Sequence, residues 1–480
     1  MADTISTYAL VQKAAQSHPN RLAIVTPTSR ITFAQLEQIS SQIAQVMRRR
    51  GVVPGDIIAV NLPAAWRCIM SVAVSHEAAV TVPLSPSLLS NNQLGIKWLA
   101  VDKAIAGVPI EQQFVIDKQM MNRLKSVVVT AAPRAYESPD SLCRIAMSSG
   151  TTGVAKAIPL SVQHSHDRAL ESVNRWSTDG PFMSFMIPKN GAGCHAWHAS
   201  LVRQEKYLVP TDAVNNVRLL AAHGVEAVMG SPSHLSVFAR ALTISGVRLP
   251  QLRVIQSGGS RLTPALVSEL RDLTGVEVGN AYSSTELGTV AYRMGHSEDP
   301  SYMGTLAGHA ETQIVDPVTD ELLPDGEYGV IRLRRPDMVS GYLNNPDATA
   351  AHFRNGWFYP GDVATIVDNE LFLGARESEL INASGLKVDP NIVDEAVIAQ
   401  PDIVDAATFA YVDGLGLDNV AVAFVLKPDG DADAVWAAVS QSLGNRAPTH
   451  TFPVESIPRN EWGKVVRREL SERFSVQPKT

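Results

Sequence analysis

Two hydrophobic periods alternate along the first two-thirds of the chain. After Thr32, the residues Leu36, Ile39, Ile43 and Met47 recur every three to four positions, which predicts an amphipathic helix capped by Thr32 and ending near Gly51. Residues 57–62 then form a short apolar run, suited to a buried strand. The same helix-to-strand grammar returns at residues 221–230 and 252–259. Such alternation predicts an α/β fold with at least one largely parallel sheet. From about Thr312 the pattern changes to short strands and turns, with 313–316, the turn-rich 323–327 and 330–334, which predicts a small β subdomain. Beyond position 378 the remaining α+β tail, roughly 100 residues, is long enough to be its own domain.

Composition narrows the class. The chain has 480 residues, too many for one core, and 45% of them are hydrophobic against 19% charged. So much apolar surface excludes disorder as a general description. A net charge of −7 argues against a protein built chiefly to grip nucleic acid or an anionic membrane. Any phosphate handling must therefore come from local backbone amides and a few placed cations. Three cysteines, Cys68, Cys143 and Cys194, make no disulfide framework and fit a reducing compartment. The first seven residues lack a basic stretch followed by an apolar run, so no secretory signal is expected. The richest apolar stretch, 69–84, is interrupted by Ser71, Ser75, His76, Glu77 and Pro83, and is shorter than the ~20 residues of a spanning helix. No transmembrane segment and a cytoplasmic location are the expectations.

Chemistry concentrates first in Met147-Ser148-Ser149-Gly150-Thr151-Thr152-Gly153-Val154-Ala155-Lys156. Glycines let backbone amides turn toward one point, hydroxyls add donors, and the lysine supplies a mobile cation. These are ingredients of a triphosphate cradle, although Gly150 and Lys156 do not fit the P-loop spacing. Cys194, His195 and His198 look superficially like metal ligands, but no fourth ligand cluster lies nearby in the sequence. Packing or an acid-pocket role is the stronger expectation for His195, Trp197 or His198.

The Ser148–Lys156 segment resembles the SGTTGxPK signature of AMP-forming adenylating enzymes, a superfamily of acyl-CoA synthetases, adenylation domains and firefly luciferase. Further segments follow in that superfamily's order. Tyr282-Ser283-Ser284-Thr285-Glu286 resembles YGxTE, residues 356–362 resemble GWxxTGD, and the segment from Arg376 to Gly385 resembles its hinge region. Residues 462–470 resemble the terminal GKxxRxxL, while residues 32–36 and Ser340-Gly341-Tyr342-Leu343-Asn344 fit minor motifs. The resemblance spans nearly the whole chain and is nearest to acyl-CoA ligases.

It implies a large N-terminal domain, 1–377, made of α/β subdomains plus a small β subdomain, and a small mobile α+β C-terminal domain, 378–480, hinged near Ser378. It implies ATP and Mg²⁺, with CoA as co-substrate and a small carboxylic acid as the group activated. The loop Ser148, Ser149, Gly150, Thr151, Thr152, Gly153 and Lys156 would hold the β- and γ-phosphates. Thr285 would contact the α-phosphate and Glu286 would help hold Mg²⁺. Gly258, Gly259, Ser260, Arg261, Asn280, Ala281 and Tyr282, continued by Ser283 and Ser284, would face adenine and the rest of AMP. Asp362 would accept from the ribose hydroxyls, with Arg376 assisting. Lys464 would bridge the acid carboxylate and the α-phosphate in the first half-reaction, and the Ser384, Gly385, Leu386 loop would admit the thiol in the second. Asn190, Trp197, His198, Ser231 and Gly258 are the acid-pocket candidates.

Several positions depart from the superfamily pattern: Ala155, Ala157, Ser283, Pro360 and Ala375, and Lys189 with Asn190 where many relatives carry an aromatic residue and a histidine. Two other readings accordingly stay open at this stage: a stand-alone adenylating enzyme that loads a carrier protein, and a catalytically silent nucleotide-binding homologue.

Overall fold

A computed structural model describes the chain except residues 1–4, 86–87, 89–92, 149–155, 176–177, 261, 296, 298, 300, 377–378, 384–385, 414–416, 460–464 and 476–480. The chain forms two compact units, Met1–Glu311 with Arg334–Trp357, and Thr312–Leu333 with Phe358–Thr480. The expected boundary at 377/378, including Ser378, lies outside the described residues.

The helix read from the apolar spacing forms over Phe33–Arg49. Thr32 Oγ1 accepts from Gln35 N at 3.3 Å, and the Gln35 side chain accepts from Thr32 N at 3.0 Å, a reciprocal cap. Phe33, Leu36, Ile43 and Met47 are fully buried, each such side chain contributing about 1.5–3 kcal/mol of hydrophobic stabilisation. The interrupted apolar stretch resolves into the helix Ala64–His76 and the strand Val80–Pro83. Both belong to a βα arrangement around a six-stranded sheet ordered Gln113–Val115, Trp98–Val101, Ile57–Asn61, Val80–Pro83, Leu142–Met147, Ala157–Ser161. All neighbours pair in parallel except the last pair.

A second sheet in the same unit places Phe182–Ser184, Ala227–Gly230, Val254–Gly258 and Val278–Ser284 side by side in parallel. Gly288–Arg293 and Tyr302–Leu306 then continue it in antiparallel sense. The helices Ala213–His223, Pro232–Ser245 and Pro264–Thr274 connect or flank these strands, and each ends on a glycine in the left-handed region. This is the α/β grammar that the sequence pattern predicted.

In the second unit, Gly329–Arg334, Asp362–Val367 and Glu370–Arg376 pair antiparallel. A further sheet orders Ile403–Val412, Asp418–Leu426 and His450–Pro453, accompanied by the helices Pro390–Ile398, Ala432–Leu443 and Arg467–Phe474. The tail is thus α+β, as its sequence implied. Among the described residues, no helix is long and apolar enough to cross a membrane.

Candidate functional site

Parallel strands deliver their carboxyl ends to one edge of a sheet, and loops there carry chemistry without disturbing the core. In the second sheet, Gly258 lies opposite Ala281 and Ser257 opposite Asn280. The segments 258–260 and 280–282, assigned from sequence to adenine, are therefore side by side. Gly259 has φ +88°, so that position uses the freedom of glycine, while a Cβ on Gly258 would meet the Ala281 carbonyl oxygen at an ordinary contact distance of 3.4 Å. Asn280 is buried and its Oδ1 accepts from Ala281 N at 3.1 Å. Ser231 caps the Pro232–Ser245 helix and bonds His234 Nδ1 at 2.6 Å. It follows the strand Ala227–Gly230, a direct neighbour of Val254–Gly258.

The phosphate-loop candidates begin and end on described residues. Ser148 N donates to the Lys156 carbonyl and Lys156 N donates to Ser148 Oγ, both at 2.9 Å, which clasps the base of the loop. Ser149, Gly150, Thr151, Thr152 and Gly153 lie outside the described residues, as do Arg261, Ser384, Gly385 and Lys464. Lys156 Nζ donates to His352 Nε2 at 2.6 Å and stands 5.2 Å from the Tyr342 ring centroid. Tyr342 in turn donates its hydroxyl to Glu286 Oε1 at 2.9 Å, and both residues are buried. The loop lysine, Tyr342 and the buried carboxylate thus form one continuous chain of contacts. In the sequence Tyr342 stands only within a minor motif, and His352 carries no signal.

Thr285, one position before Glu286, approaches the helix Gly191–Val202. A Cβ on Gly191 would lie 3.2 Å from Thr285 Oγ1. Asn190 caps this helix, accepting from Gly193 N at 2.7 Å. Trp197 is buried in the core, donating Nε1 to Ser71 Oγ at 3.0 Å, and its ring also lines a cavity together with Asn190. His198 is buried beside Thr7 Oγ1 and 5.9 Å from the His166 ring. Burial first, then the Arg144, His166 and His195 charges, hold its imidazole pKa well below the ordinary value, so it is neutral at pH 7. Among the described residues, no group of three His, Cys, Asp or Glu side chains is placed to hold a metal.

Two departures from the superfamily pattern have clear structural settings. Ala157 opens a strand with its methyl buried and its carbonyl accepting from Leu343 N at 2.9 Å. Ser283 is exposed and sits at a register shift between Val278–Ser284 and its partner strand.

Within the second unit, Gly361 at φ +81° turns the chain into Asp362, a buried carboxylate. Asp362 lies opposite Arg376 in the strand pair, and Arg376 Nε approaches its Oδ1 at 3.1 Å. The sequence-assigned ribose pair is therefore an actual ion pair. Arg467, in the terminal motif, donates to Thr408 O at 2.6 Å, Asn391 Oδ1 at 2.8 Å and Asp394 Oδ2 at 2.7 Å. Leu470 is buried in the core with Phe409. These two motif residues anchor the segment that follows Lys464.

The fold is that of adenylate-forming enzymes. ATP-bound MatB from Rhodopseudomonas palustris superposes with a TM-score of 0.86 over 98% of this chain and 99% of that one, at 21% identity. The o-succinylbenzoate CoA synthetase of Bacillus subtilis, solved with its acyl-adenylate intermediate, gives 0.84 over 98% and 99%, also at 21% identity. Among proteins compared by sequence, the 4-coumarate–CoA ligase 2 of Nicotiana tabacum is 26% identical over 93% of this chain and 90% of its own. A protein of Humulus lupulus named a probable CoA ligase is 26% identical over 100% and 98%. The chain belongs to the AMP-binding enzyme family, whose model matches residues 11–343.

Proposed function

We propose that the protein activates a carboxylic acid with ATP and transfers the acyl group to CoA, yielding an acyl-CoA thioester, AMP and pyrophosphate. The observation that carries this reading is the contact chain from Lys156 through Tyr342 to Glu286. It ties the base of a phosphate-type loop to a buried, oriented carboxylate, an arrangement suited to a polyphosphate and a hard cation. Likeness to CoA ligases over nearly the whole chain supports the same reading.

In the first half-reaction a carboxylate oxygen of the acid attacks the α-phosphorus and pyrophosphate departs. Ser148 and Lys156, with the loop between them, hold the β- and γ-phosphates. Thr285 donates to the α-phosphate, and Glu286 contributes a ligand to Mg²⁺, which neutralises phosphate charge when bound. Residues 258–260 and 280–282 receive the adenine, and Asp362, held by Arg376, accepts from the ribose hydroxyls. Lys464 offsets the negative charge shared between the acid carboxylate and the α-phosphate. In the second half-reaction the CoA sulfur attacks the acyl carbonyl carbon, the C–O bond to AMP breaks, and AMP leaves. The loop around Gly385 gives pantetheine its path.

ATP–pyrophosphate exchange across an acid panel tests the first step, and separate addition of CoA or a carrier protein tests the acceptor. Lys464→Ala should slow exchange by about 100- to 1,000-fold, the scale of one lost transition-state donor, while sparing thioester formation from supplied acyl-AMP. Exchange with no acid refutes the reading; exchange with acyl transfer to a carrier protein but not to CoA replaces the acceptor.

A further inference from the structure

Between the six-stranded sheet and the helix Gly191–Val202, the first unit holds a partly open cavity whose lining includes Arg67, Ser71, Arg144, Asn190, Cys194 and Trp197. Two of its wall residues are guanidinium groups taken out of water: Arg67 is 7% and Arg144 6% exposed. Arg67 spends two of its donors on Val60 O at 2.9 Å and Asn61 Oδ1 at 3.2 Å. Arg144 Nη1 is buried with no hydrogen-bond partner. Among the described residues neither arginine has a carboxylate partner within ion-pair distance. Arg168, 2% exposed and paired with Glu171 and Asp337, shows what compensation of a buried arginine looks like in this fold.

A buried cation with no counter-charge is unfavourable unless something supplies one, and apolar walls such as Val60 and Ile145 make the field of these groups reach further than it would in water. The cavity is also placed for a role in the reaction. Gly191 lines it, and a Cβ at Gly191 would stand 3.2 Å from Thr285 Oγ1. A molecule whose reacting group sits near Thr285 therefore has an arginine-bearing cavity on the other side of a residue that has no side chain. Forked guanidinium donors match the two oxygens of a carboxylate.

We propose that this cavity receives a second anionic group of the acid substrate, a carboxylate held by Arg144 and Arg67, so that the acid activated is a dicarboxylic acid rather than a plain aryl or alkyl monocarboxylic acid. The proposal rests on the acid-activating function proposed above. An oxyanion could also come from solution, and inorganic phosphate is the probe for that source.

The test compares α,ω-dicarboxylic acids of three to six carbons with their monomethyl esters, which keep length and one carboxylate but lose the second charge. ATP–pyrophosphate exchange should favour at least one dicarboxylate over its ester by 30-fold or more in kcat/KM. In Arg144→Met that ratio should fall at least 30-fold, and in Arg144→Lys it should fall less. Thermal melting without ATP should show a rise with the favoured dicarboxylate and none with its ester, and the rise should vanish in Arg144→Met. Should Arg144→Met fold poorly, Ser71→Asp tests the same point. Its carboxylate still accepts from Trp197 Nε1, supplies the missing counter-charge and should raise the melting temperature while collapsing the dicarboxylate-to-ester ratio.

Esters used as well as dicarboxylates, an unchanged ratio in Arg144→Met, or a melting rise produced equally by phosphate would overturn the proposal. If no acid supports exchange yet the dicarboxylate-dependent rise persists and disappears in Arg144→Met, the cavity assignment stands and the ligase reading falls. If exchange runs with uncharged-tail acids alone, the ligase reading stands and the cavity assignment falls.

Discussion

Replacing Tyr342 by phenylalanine removes the side-chain hydrogen bond that, among the described residues, orients Glu286. The hydroxyl donates to a carboxylate at 2.9 Å, with Tyr342 7% and Glu286 8% exposed, so water is poorly placed to substitute. The ring itself stays, and with it the Lys156 contact at 5.2 Å and the edge contacts to His352 at 5.9 Å and Phe353 at 5.4 Å. A hydrogen bond to a charged acceptor contributes about 1.5–3 kcal/mol. The melting transition should therefore weaken by about that amount. If Glu286 is the Mg²⁺ ligand proposed above, a similar loss in the transition state lowers ATP–pyrophosphate exchange by about 10- to 150-fold. The exchange assay, run over a Mg²⁺ series at saturating acid, should also show half-saturation moving to higher Mg²⁺. Tyr342→Ala should cost about 3–5 kcal/mol in stability, because the buried ring goes too. A Tyr342→Phe protein with unchanged melting and an unchanged Mg²⁺ series would refute the orienting role.

Glu77 is fully buried, accepts from Arg48 Nε and Nη2 at 2.9 Å each, and lies 2.9 Å from His76 Nδ1. Burial alone would raise its pKa, but the His76 and Arg48 hydrogen bonds and charges outweigh it and hold the group below 4.5. Its stabilisation is therefore present above pH 4.5 and lost as pH falls through the lowered pKa; in acid denaturation curves Glu77→Gln should flatten that loss and cost about 2–4 kcal/mol at pH 7. Arg467→Met should destabilise the second unit by about 2–4 kcal/mol by leaving Asp394 unpaired, and Asp394→Asn should recover part of it in a double-mutant melting cycle. Gly193→Ala should cost about 2–3 kcal/mol by overpacking, since its Cβ would stand 1.9 Å from the Ile187 carbonyl oxygen; unchanged melting would show that the loop before the helix yields freely.

Elements governed by local periodicity were legible in the sequence. The Phe33–Arg49 helix and its Thr32 cap are set by side chains within one turn of each other, and the strand at Ile57–Asn61 by the apolar run Ile57–Val60. Family resemblance assigned Asp362 and Arg376 to the same ribose, but their pairing was not legible: nothing local to either residue says that an antiparallel register sets them opposite. Tyr342 with Glu286 was not legible, because the two lie 56 positions apart and their meeting is decided by packing between segments. Arg67 and Arg144 illustrate the same limit. Each reads as an ordinary charge in an apolar neighbourhood, and their convergence on one cavity is a property of sheet and helix together.

The motifs also divide by physical role in a way that bears on the departures from the superfamily pattern. Arg467 and Leu470 hold the terminal segment by three hydrogen bonds and a buried aliphatic side chain, so their part of the motif is scaffolding. Tyr342 is scaffolding of another kind, setting the direction of a carboxylate. Ala157 falls at a scaffold position, where its buried methyl sits in a strand and its carbonyl keeps the hydrogen bond from Leu343 N. The charged groups assigned to chemistry, Lys156, Glu286, Asp362, Arg376 and Lys464, all carry the residue type the reaction needs. Divergence that spares the charges and alters their supports changes rigidity and fit before it removes catalysis. That favours an active ligase over a silent homologue, and moves the distinctive chemistry of this chain from the phosphate site to the walls around Asn190 and Arg144.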